Sequence, residues 1–283
     1  MKISTLGVLG AGTMGGGIAL VGAQAGLKVI LKGTALSRVQ KTISRMESFL
    51  NKSIEKGKVT AEQKQEILNR IQPSDKLSDF KEVDFVIEAI VEDIELKKKV
   101  FEELDNVCKA ETILTSNTSS LSINVIASAT QRPDRVAGMH FFNPPPIMKL
   151  VEIVRGNDTS DETVKVISDL AKKMNKTTVE VKKDYPGFIV TRVNMAQIVE
   201  AIRLVEEGVA TPEDIDTALK LGLNWPMGPF EMQDFIGLDV CNSIMDYFFD
   251  EFKEARWNSP QPLKALIRSR KFGRKSGAGW FKY

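Results

Sequence analysis

The chain has 283 residues, enough for two domains, and its 42% apolar and 27% charged residues are typical of a globular protein. Its 39 basic and 37 acidic residues leave a net charge of +2, which gives no indication of a nucleic-acid or membrane partner. The two separate cysteines, Cys108 and Cys241, argue against a disulfide framework and against a zinc site or other bound metal. They favour a reducing, cytoplasmic compartment.

The first motif is a glycine-rich turn between an apolar strand and a helix, GVLGAGTMGGG. Its GxGxxG pattern consists of Gly10, which permits a tight turn, Gly12, which lets a pyrophosphate approach the backbone, and Gly15, which lets the helix pack on the strand. Thr13 and Met14 lie in the first turn of that helix, whose N–H groups and dipole attract phosphates. The motif predicts a dinucleotide site.

The end of the second predicted strand, LKVILKGTALSR, departs from the usual pattern of such sites. In sites specific for NAD an acidic residue closes this strand and binds the ribose hydroxyls. Gly33 stands at about that position, and Lys32, Thr34 and Arg38 surround it. These side chains provide donors for a 2′-phosphate and no carboxylate to repel it. We therefore expect NADP to be preferred over NAD; the alternative is that these are solvated surface residues.

Seven short apolar runs alternate with helical patterns through the first two thirds of the chain: STLGVLG, LKVIL, DFVIEAI, TILTS, RVAGMHFF, KLVEIV and TTVEV. One such helix over residues 60–71 starts with a capping box formed by Thr60 and Gln63. From Pro186 onward only helical patterns follow, such as the one capped by Thr211. The sequence thus predicts an α/β fold, with a Rossmann-type doubly wound domain over residues 1–184 and an all-helical domain over residues 185–283.

The only histidine, His140, ends a predicted strand and precedes an Asn-Pro-Pro-Pro turn. If the chain returns as a hairpin about Pro146, His140 and Glu152 are equidistant from the turn and face one another. A buried carboxylate beside an imidazole fixes its tautomer and stabilises its protonated form. Glu152 as an exposed strand residue is the alternative, but in the apolar run LVEIV an unpaired carboxylate would be costly. We expect an acid–base pair.

The polar loop TSNTSS follows another predicted strand, at the sheet edge where open α/β sheets bind ligands. Its hydroxyl groups are candidates for binding a ligand or for capping the next helix. Capping is the preferred interpretation for Ser122. The sequence does not choose among Ser116, Ser119 and Ser120.

Taken in order, the motifs resemble the short-chain L-3-hydroxyacyl-CoA dehydrogenase family, and in particular the bacterial 3-hydroxybutyryl-CoA dehydrogenases. The resemblance runs nearly end to end. Besides GxGxxG, it rests on VIEAIVED, SNTSSLSI, GMHFFNPPPIMKLVEI, DYPGFIV, PMGPFEMQDFIGLDV and GRKSGAGWF.

The resemblance implies a role for each residue of the predicted catalytic centre. His140 would be the catalytic acid/base and Glu152 its partner. Ser119 and Asn143 would bind the substrate oxygen or the thioester region. Ser119 would also contact the coenzyme. The family usually has Asn after PGFIV, where this chain has Thr191, and Asn194 one helical turn later is the candidate substitute.

Two further groups follow from the resemblance. Glu92 and Lys97 would contact the coenzyme near the nicotinamide ribose. Ser48, Lys52 and Lys56 lie in a basic helix that resembles the helical hairpin that receives coenzyme A, although a solvated charged helix would have the same sequence.

The activity implied is reversible hydride transfer between NADP or NAD and C3 of acetoacetyl-CoA or 3-hydroxybutyryl-CoA. The helical domain would close over the cleft and form a homodimer. One alternative is a dinucleotide-binding protein without catalysis, which the departures at Thr191 and Gly33 favour. The other is a sister dehydrogenase acting on a different hydroxyacid.

Overall fold

The computed structural model describes residues 3–283, and the chain divides into two units. The first unit extends to Tyr185 and the second runs from Pro186 to Tyr283. Each unit has its own apolar core.

The first unit is built on a single eight-stranded sheet with the order β3-β2-β1-β4-β5-β6-β7-β8. The pairings are parallel except for β6 with β7, which is antiparallel. The strands are β1 (Thr5–Leu9), β2 (Lys28–Lys32), β3 (Ile71–Ser74), β4 (Phe85–Glu88), β5 (Ile113–Ser116), β6 (Val136–Phe141), β7 (Leu150–Arg155) and β8 (Thr177–Val181).

Helices connect most of these strands. They are α1 (Thr13–Gln24), α2 (Leu36–Glu55), α3 (Ala61–Asn69), α4 (Ile94–Val107), α5 (Ile123–Ala127) and α6 (Asp161–Lys173). Every residue of β4 and of β6 is buried, as expected for strands of a sheet that is covered on both faces. The predicted α/β class, with a Rossmann-type sheet first and a helical region after it, is therefore confirmed.

The predicted helix start at Thr60 is also confirmed. The Thr60 hydroxyl accepts a hydrogen bond from the Gln63 N–H at 3.2 Å, and the Gln63 side chain accepts one from the Thr60 N–H at 2.9 Å. Lys64 then joins this helix to α2, because its ammonium contacts Glu47 and Asn51 at 2.8 Å each. The segment predicted to receive coenzyme A is thus one arm of a helical hairpin.

The second unit consists of α7 (Val190–Glu206), α8 (Pro212–Gly222), α9 (Pro229–Ile236), α10 (Leu238–Phe252) and α11 (Gln261–Arg268), with short 3₁₀ turns. As predicted, Thr211 caps α8 by accepting a hydrogen bond from the Asp214 N–H, and Pro212 occupies the first turn. Within the described residues of this unit the only β pairing is two isolated bridges near the C-terminus.

Candidate active site

The histidine pair lies on the two antiparallel strands of the sheet. The register of β6 and β7 places His140 directly opposite Glu152, and Nδ1 of the imidazole lies 2.7 Å from Oε2 of the carboxylate. His140 is 6% exposed and Glu152 is 0% exposed, so Glu152 is not a surface residue. The ring of Phe142 packs 4.6 Å from the imidazole centroid. A buried carboxylate on Nδ1 fixes the tautomer and presents the other nitrogen, Nε2, on the opposite side of the ring.

A buried lysine, which is not among the predicted site residues, donates hydrogen bonds to the turn after His140. The Lys176 ammonium donates hydrogen bonds to the carbonyls of Pro145 and Met148, the second at 2.7 Å. Burial, with the nearby charge of Lys149, lowers the pKa of Lys176. Asn143, the predicted thioester contact, lies exposed in the same turn.

The glycine turn after β1 has the geometry of a phosphate cradle. Gly10 has φ of +116°, and a Cβ there would lie 2.3 Å from the carbonyl oxygen of Ala89. A Cβ on Gly15 would lie 1.7 Å from the Gly10 oxygen, whereas one on Gly12 would meet nothing within 4 Å. The N-terminus of α1 has no side-chain cap and begins at Thr13, followed by Met14. The backbone is therefore open where the pyrophosphate of a dinucleotide would approach, and the residues fit that group.

The residues after β2 gather at the same edge of the sheet. Thr34 and Arg38 are exposed, and the ammonium of Lys32 contacts the carbonyl of Gly33 at 3.3 Å. A Cβ on Gly33 would lie 2.7 Å from Cγ2 of Val39, a stiff side chain in the core. Packing alone therefore requires a glycine at position 33, a constraint that the sequence did not predict.

Among the three candidate serines, Ser119 is more exposed than the other two. Ser116 is 0% and Ser120 is 7% exposed, whereas Ser119 is only half-buried. Ser122 caps α5, as predicted, by accepting a hydrogen bond from the Val125 N–H. The Asn117 side chain accepts a hydrogen bond from the Phe141 N–H at 2.8 Å, which ties this loop to the end of β6.

Glu92 and Lys97 meet beside this loop. The Lys97 ammonium is 3.3 Å from a Glu92 carboxylate oxygen, and Glu92 also accepts a hydrogen bond from the Ser119 N–H at 3.1 Å. Lys97 is almost completely buried and forms a second ion pair with Glu88 at 2.6 Å. Glu88 was missed, although the signal was available: like Glu152, it is a carboxylate within an apolar strand run.

The remaining predicted site residues lie elsewhere in the chain. Ser48 and Lys52 are exposed on α2, and Lys56 is exposed immediately after its last residue. Thr191 and Asn194 lie one turn apart on α7, in the second unit, and both are half-buried. Residues 3–283 contain no group of three or more His, Cys, Asp or Glu side chains that could hold a metal ion, and none of their helices is long and apolar enough to cross a membrane.

Comparison with known proteins gives consistent matches over the whole chain. The family model of the NAD binding domain of 3-hydroxyacyl-CoA dehydrogenase matches residues 5–185, and the model of its C-terminal domain matches residues 187–283. The 3-hydroxybutyryl-CoA dehydrogenase of Clostridioides difficile is 44% identical, covering 98% of this chain and 99% of the relative. The human mitochondrial hydroxyacyl-coenzyme A dehydrogenase is 43% identical, covering 98% and 90%. The crystal structure of (S)-3-hydroxybutyryl-CoA dehydrogenase from Ralstonia eutropha is 40% identical with a TM-score of 0.97, covering 100% and 99%.

Proposed function

The chain belongs to the 3-hydroxyacyl-CoA dehydrogenase family, and we propose that it interconverts 3-hydroxybutyryl-CoA and acetoacetyl-CoA. The observation that carries the proposal is the buried His140–Glu152 pair, on the same sheet as the glycine cradle. The name of the Clostridioides difficile relative supports the four-carbon substrate. When bound, the nicotinamide ring of the coenzyme supplies or accepts the hydride at C3.

His140 moves the proton that accompanies the hydride. In the reducing direction the imidazolium gives its Nε2 proton to the oxygen on C3, and the product is the 3-hydroxy group. Glu152 stabilises the imidazolium before the transfer and keeps the proton of the neutral ring on Nδ1 after it. In the oxidising direction neutral His140 removes the hydroxyl proton through the same nitrogen.

The other side chains orient the substrate. Ser119 donates a hydrogen bond to the oxygen on C3, and this bond strengthens as negative charge develops on that oxygen. Asn143 binds the thioester region. Thr191 stands where the family has an Asn that binds the substrate, and Asn194, one turn later on the same helix, is the candidate substitute for that amide. Ser48, Lys52 and Lys56 contact coenzyme A, and the two lysines bind its phosphates.

The coenzyme we propose is NADP in preference to NAD. Arg38, Thr34 and Lys32 provide positive charge and donors beside Gly33, and no carboxylate there repels a 2′-phosphate. Because a Cβ at Gly33 would collide with Val39, a Gly33→Asp variant would test packing together with specificity. Arg38→Gln is the cleaner variant, since Arg38 is exposed.

We also propose that the protein is a cytoplasmic homodimer. Both cysteines are unpaired and buried, which suits a reducing compartment. The helical second unit exposes large apolar side chains, including Leu221, Leu223 and Phe235, which a subunit interface would cover. Sedimentation of the purified protein tests the dimer; a monomer at micromolar concentration would contradict it.

One assay tests the activity and the coenzyme together. Purified protein is given acetoacetyl-CoA with NADH or NADPH, and then acyl chains of increasing length. We expect turnover with both coenzymes and a higher kcat/KM with NADPH. Arg38→Gln should lower kcat/KM for NADPH about tenfold, or about 1.4 kcal/mol, and leave NADH unchanged. Arg45→Gln, two turns along the same helix, is the matched control.

Two results would contradict these proposals separately. If the protein binds NADPH but does not reduce acetoacetyl-CoA with either coenzyme, it is a dinucleotide-binding protein without this activity. A parent protein that favours NADH tenfold or more would reject the coenzyme proposal alone.

A further inference from the structure

A cluster of three charged side chains lies beneath the loop of residues 116–121, apart from the His140–Glu152 pair. Glu88, the last residue of β4, is 0% exposed, and Lys97 on α4 is 1% exposed. The Lys97 ammonium lies 2.6 Å from Oε1 of Glu88 and 3.3 Å from Oε2 of Glu92. One buried ammonium therefore binds two carboxylates.

Glu88 holds the first half of the loop. Its Oε2 accepts a hydrogen bond from the Ser116 hydroxyl at 2.6 Å, and its backbone carbonyl accepts one from the Asn117 N–H at 2.8 Å. Its Oε1 also accepts a hydrogen bond from the Ile90 N–H at 2.7 Å. Leu9, the last residue before the glycine cradle, is the partner of Glu88 in the β1–β4 register. Glu88 thus links the cradle strand to the start of the loop.

Glu92 holds the second half of the loop. Its Oε1 accepts hydrogen bonds from the Thr118 hydroxyl and from the Ser119 N–H, the latter at 3.1 Å. The Thr118 hydroxyl in turn accepts hydrogen bonds from the N–H groups of Ser120 and Leu121 at 3.3 and 2.9 Å. The backbone on both sides of Ser119 is therefore fixed through two carboxylates that share Lys97.

A buried ion pair is a poor way to stabilise a fold, because an apolar pair of similar size often does so equally well. A buried charge network does, however, restrict its neighbours to one geometry when every polar atom has a partner. The Glu88 carboxylate meets this condition, with three donors on its two oxygens. All three donors come from segments that border the proposed coenzyme and substrate site.

We propose that Glu88 and Lys97 are positioning residues that hold Ser119 and Glu92 in place for the reaction. The inference rests on the proposed function. It assigns Lys97 to the support of the loop, and it adds Glu88, which is not among the predicted site residues. The substrate oxygen and the nicotinamide end of the coenzyme then meet a loop whose shape exists before they bind.

The test is Glu88→Gln in the full-length protein, with two readouts. The amide keeps the size of the side chain and removes its charge, so the Lys97 ammonium loses its strongest partner. We expect kcat to fall about 10- to 100-fold, while KM for the coenzyme changes less than about threefold, because the phosphate cradle is unaltered. Without any ligand, amide hydrogens of residues 116–121 should exchange faster than in the parent. Glu88→Asp, which keeps the charge, should recover part of the kcat.

Asp105→Asn is the matched control. The Asp105 carboxylate lies 2.5 Å from the Arg132 guanidinium, and both side chains are largely buried. Asp105 lies near the end of α4, and Arg132 lies just before β6, at the sheet edge opposite the loop. This variant should lower the unfolding temperature and leave kcat unchanged.

The outcomes separate the possible roles. Parental kcat and parental exchange in Glu88→Gln would overturn the inference. A lower unfolding temperature with unchanged kcat, as in the control, would make the pair merely structural and would also overturn it. A rise in coenzyme KM that exceeds the loss of kcat would assign Lys97 to direct coenzyme binding instead. If the parent does not reduce acetoacetyl-CoA, the proposed function fails, and the exchange measurement still tests the loop.

Discussion

His140 is the only histidine in the chain. It is therefore the only side chain whose ordinary pKa lies near neutral pH. Its partner Glu152 is completely buried and lies directly opposite it in the β6–β7 register. A carboxylate in that position has no water to solvate it, and the imidazole is its charge partner. The two residues therefore form one chemical unit, and a variant of either changes the state of both.

We predict that His140→Gln lowers kcat by about 10²- to 10⁴-fold, the usual contribution of a general acid or base. The amide can still occupy the space beside Glu152 but cannot carry the proton. Coenzyme affinity, measured by the fluorescence of bound NADPH, should stay near the parental value because the cradle lies on β1 and α1. Glu152→Gln should show a smaller loss. Turnover near the parental level in His140→Gln would reject the mechanism.

How well the sequence predicts a site residue depends on what surrounds that residue along the chain. His140 and Glu152 could be paired from the sequence because both flank one proline turn in a hairpin. Asn117 and Lys176 could not, because their partners, Phe141 and the carbonyls of the turn, are distant in sequence and contact them only in the folded sheet. Backbone carbonyls as partners leave no trace in the residue pattern.

At the scale of elements, the same reasoning explains the strand that the sequence analysis missed. β3, with the sequence IQPS, contains a proline and has only two buried residues, Ile71 and Ser74. Proline is tolerated in this position because β3 is an edge strand, paired only with β2. β8, the other edge strand, has only one buried residue and was identified by its β-branched side chains, TTVEV. β3 has four residues and a single β-branched one, which is too short a pattern to identify a strand.

The hairpin of α2 and α3 is the element that we expect to bind the phosphates of coenzyme A. Lys56→Glu should raise KM for acetoacetyl-CoA about tenfold at low salt, and raise it little for a truncated thioester without the nucleotide phosphates. Lys56 is exposed at the C-terminal end of α2, so the fold should tolerate the change. Steady-state kinetics with both substrates measures the effect.

The control for this prediction is Lys41→Glu. It makes the same charge change on the same helix, about 22 Å away at 1.5 Å per residue. Equal losses with the intact and the truncated substrate in Lys56→Glu would attribute the effect to the helix rather than to the phosphates. Equal losses in both variants would attribute it to the overall charge of the protein.

At the scale of the whole molecule, the two units have separate cores, and each unit contains one buried cysteine. Burial raises the pKa of the Cys108 thiol to about 11 and that of Cys241 to about 12, from an ordinary value of 9.0. Neither thiol is therefore a nucleophile at neutral pH, and both affect stability in alkaline solution.

Both thiols make the protein less stable as the pH rises above 9. The unfolded chain loses its thiol protons near pH 9, whereas the folded chain keeps them until about pH 11 to 12, so the folded state binds more protons in between. The free energy of unfolding then falls by about 1.4 kcal/mol per pH unit for each thiol. Buried Lys176, whose pKa is lowered, acts in the opposite direction over the range below its ordinary pKa of 10.5. The parent curve alone therefore does not isolate the thiols.

The comparison that isolates them is between the parent and Cys108→Ala or Cys241→Ala at each pH. At pH 8 each variant should be less stable than the parent, because it loses buried sulfur contacts. By pH 10 that difference should shrink by about 1 kcal/mol, since only the parent retains the unfavourable linkage to the thiol. Urea unfolding at pH 8 and pH 10 measures the difference in the free energy of unfolding between the parent and each variant. Each variant changes one unit only, so the other variant is its control. A difference that stays constant from pH 8 to pH 10 would show that the thiol concerned ionises in the folded protein as readily as in the unfolded chain.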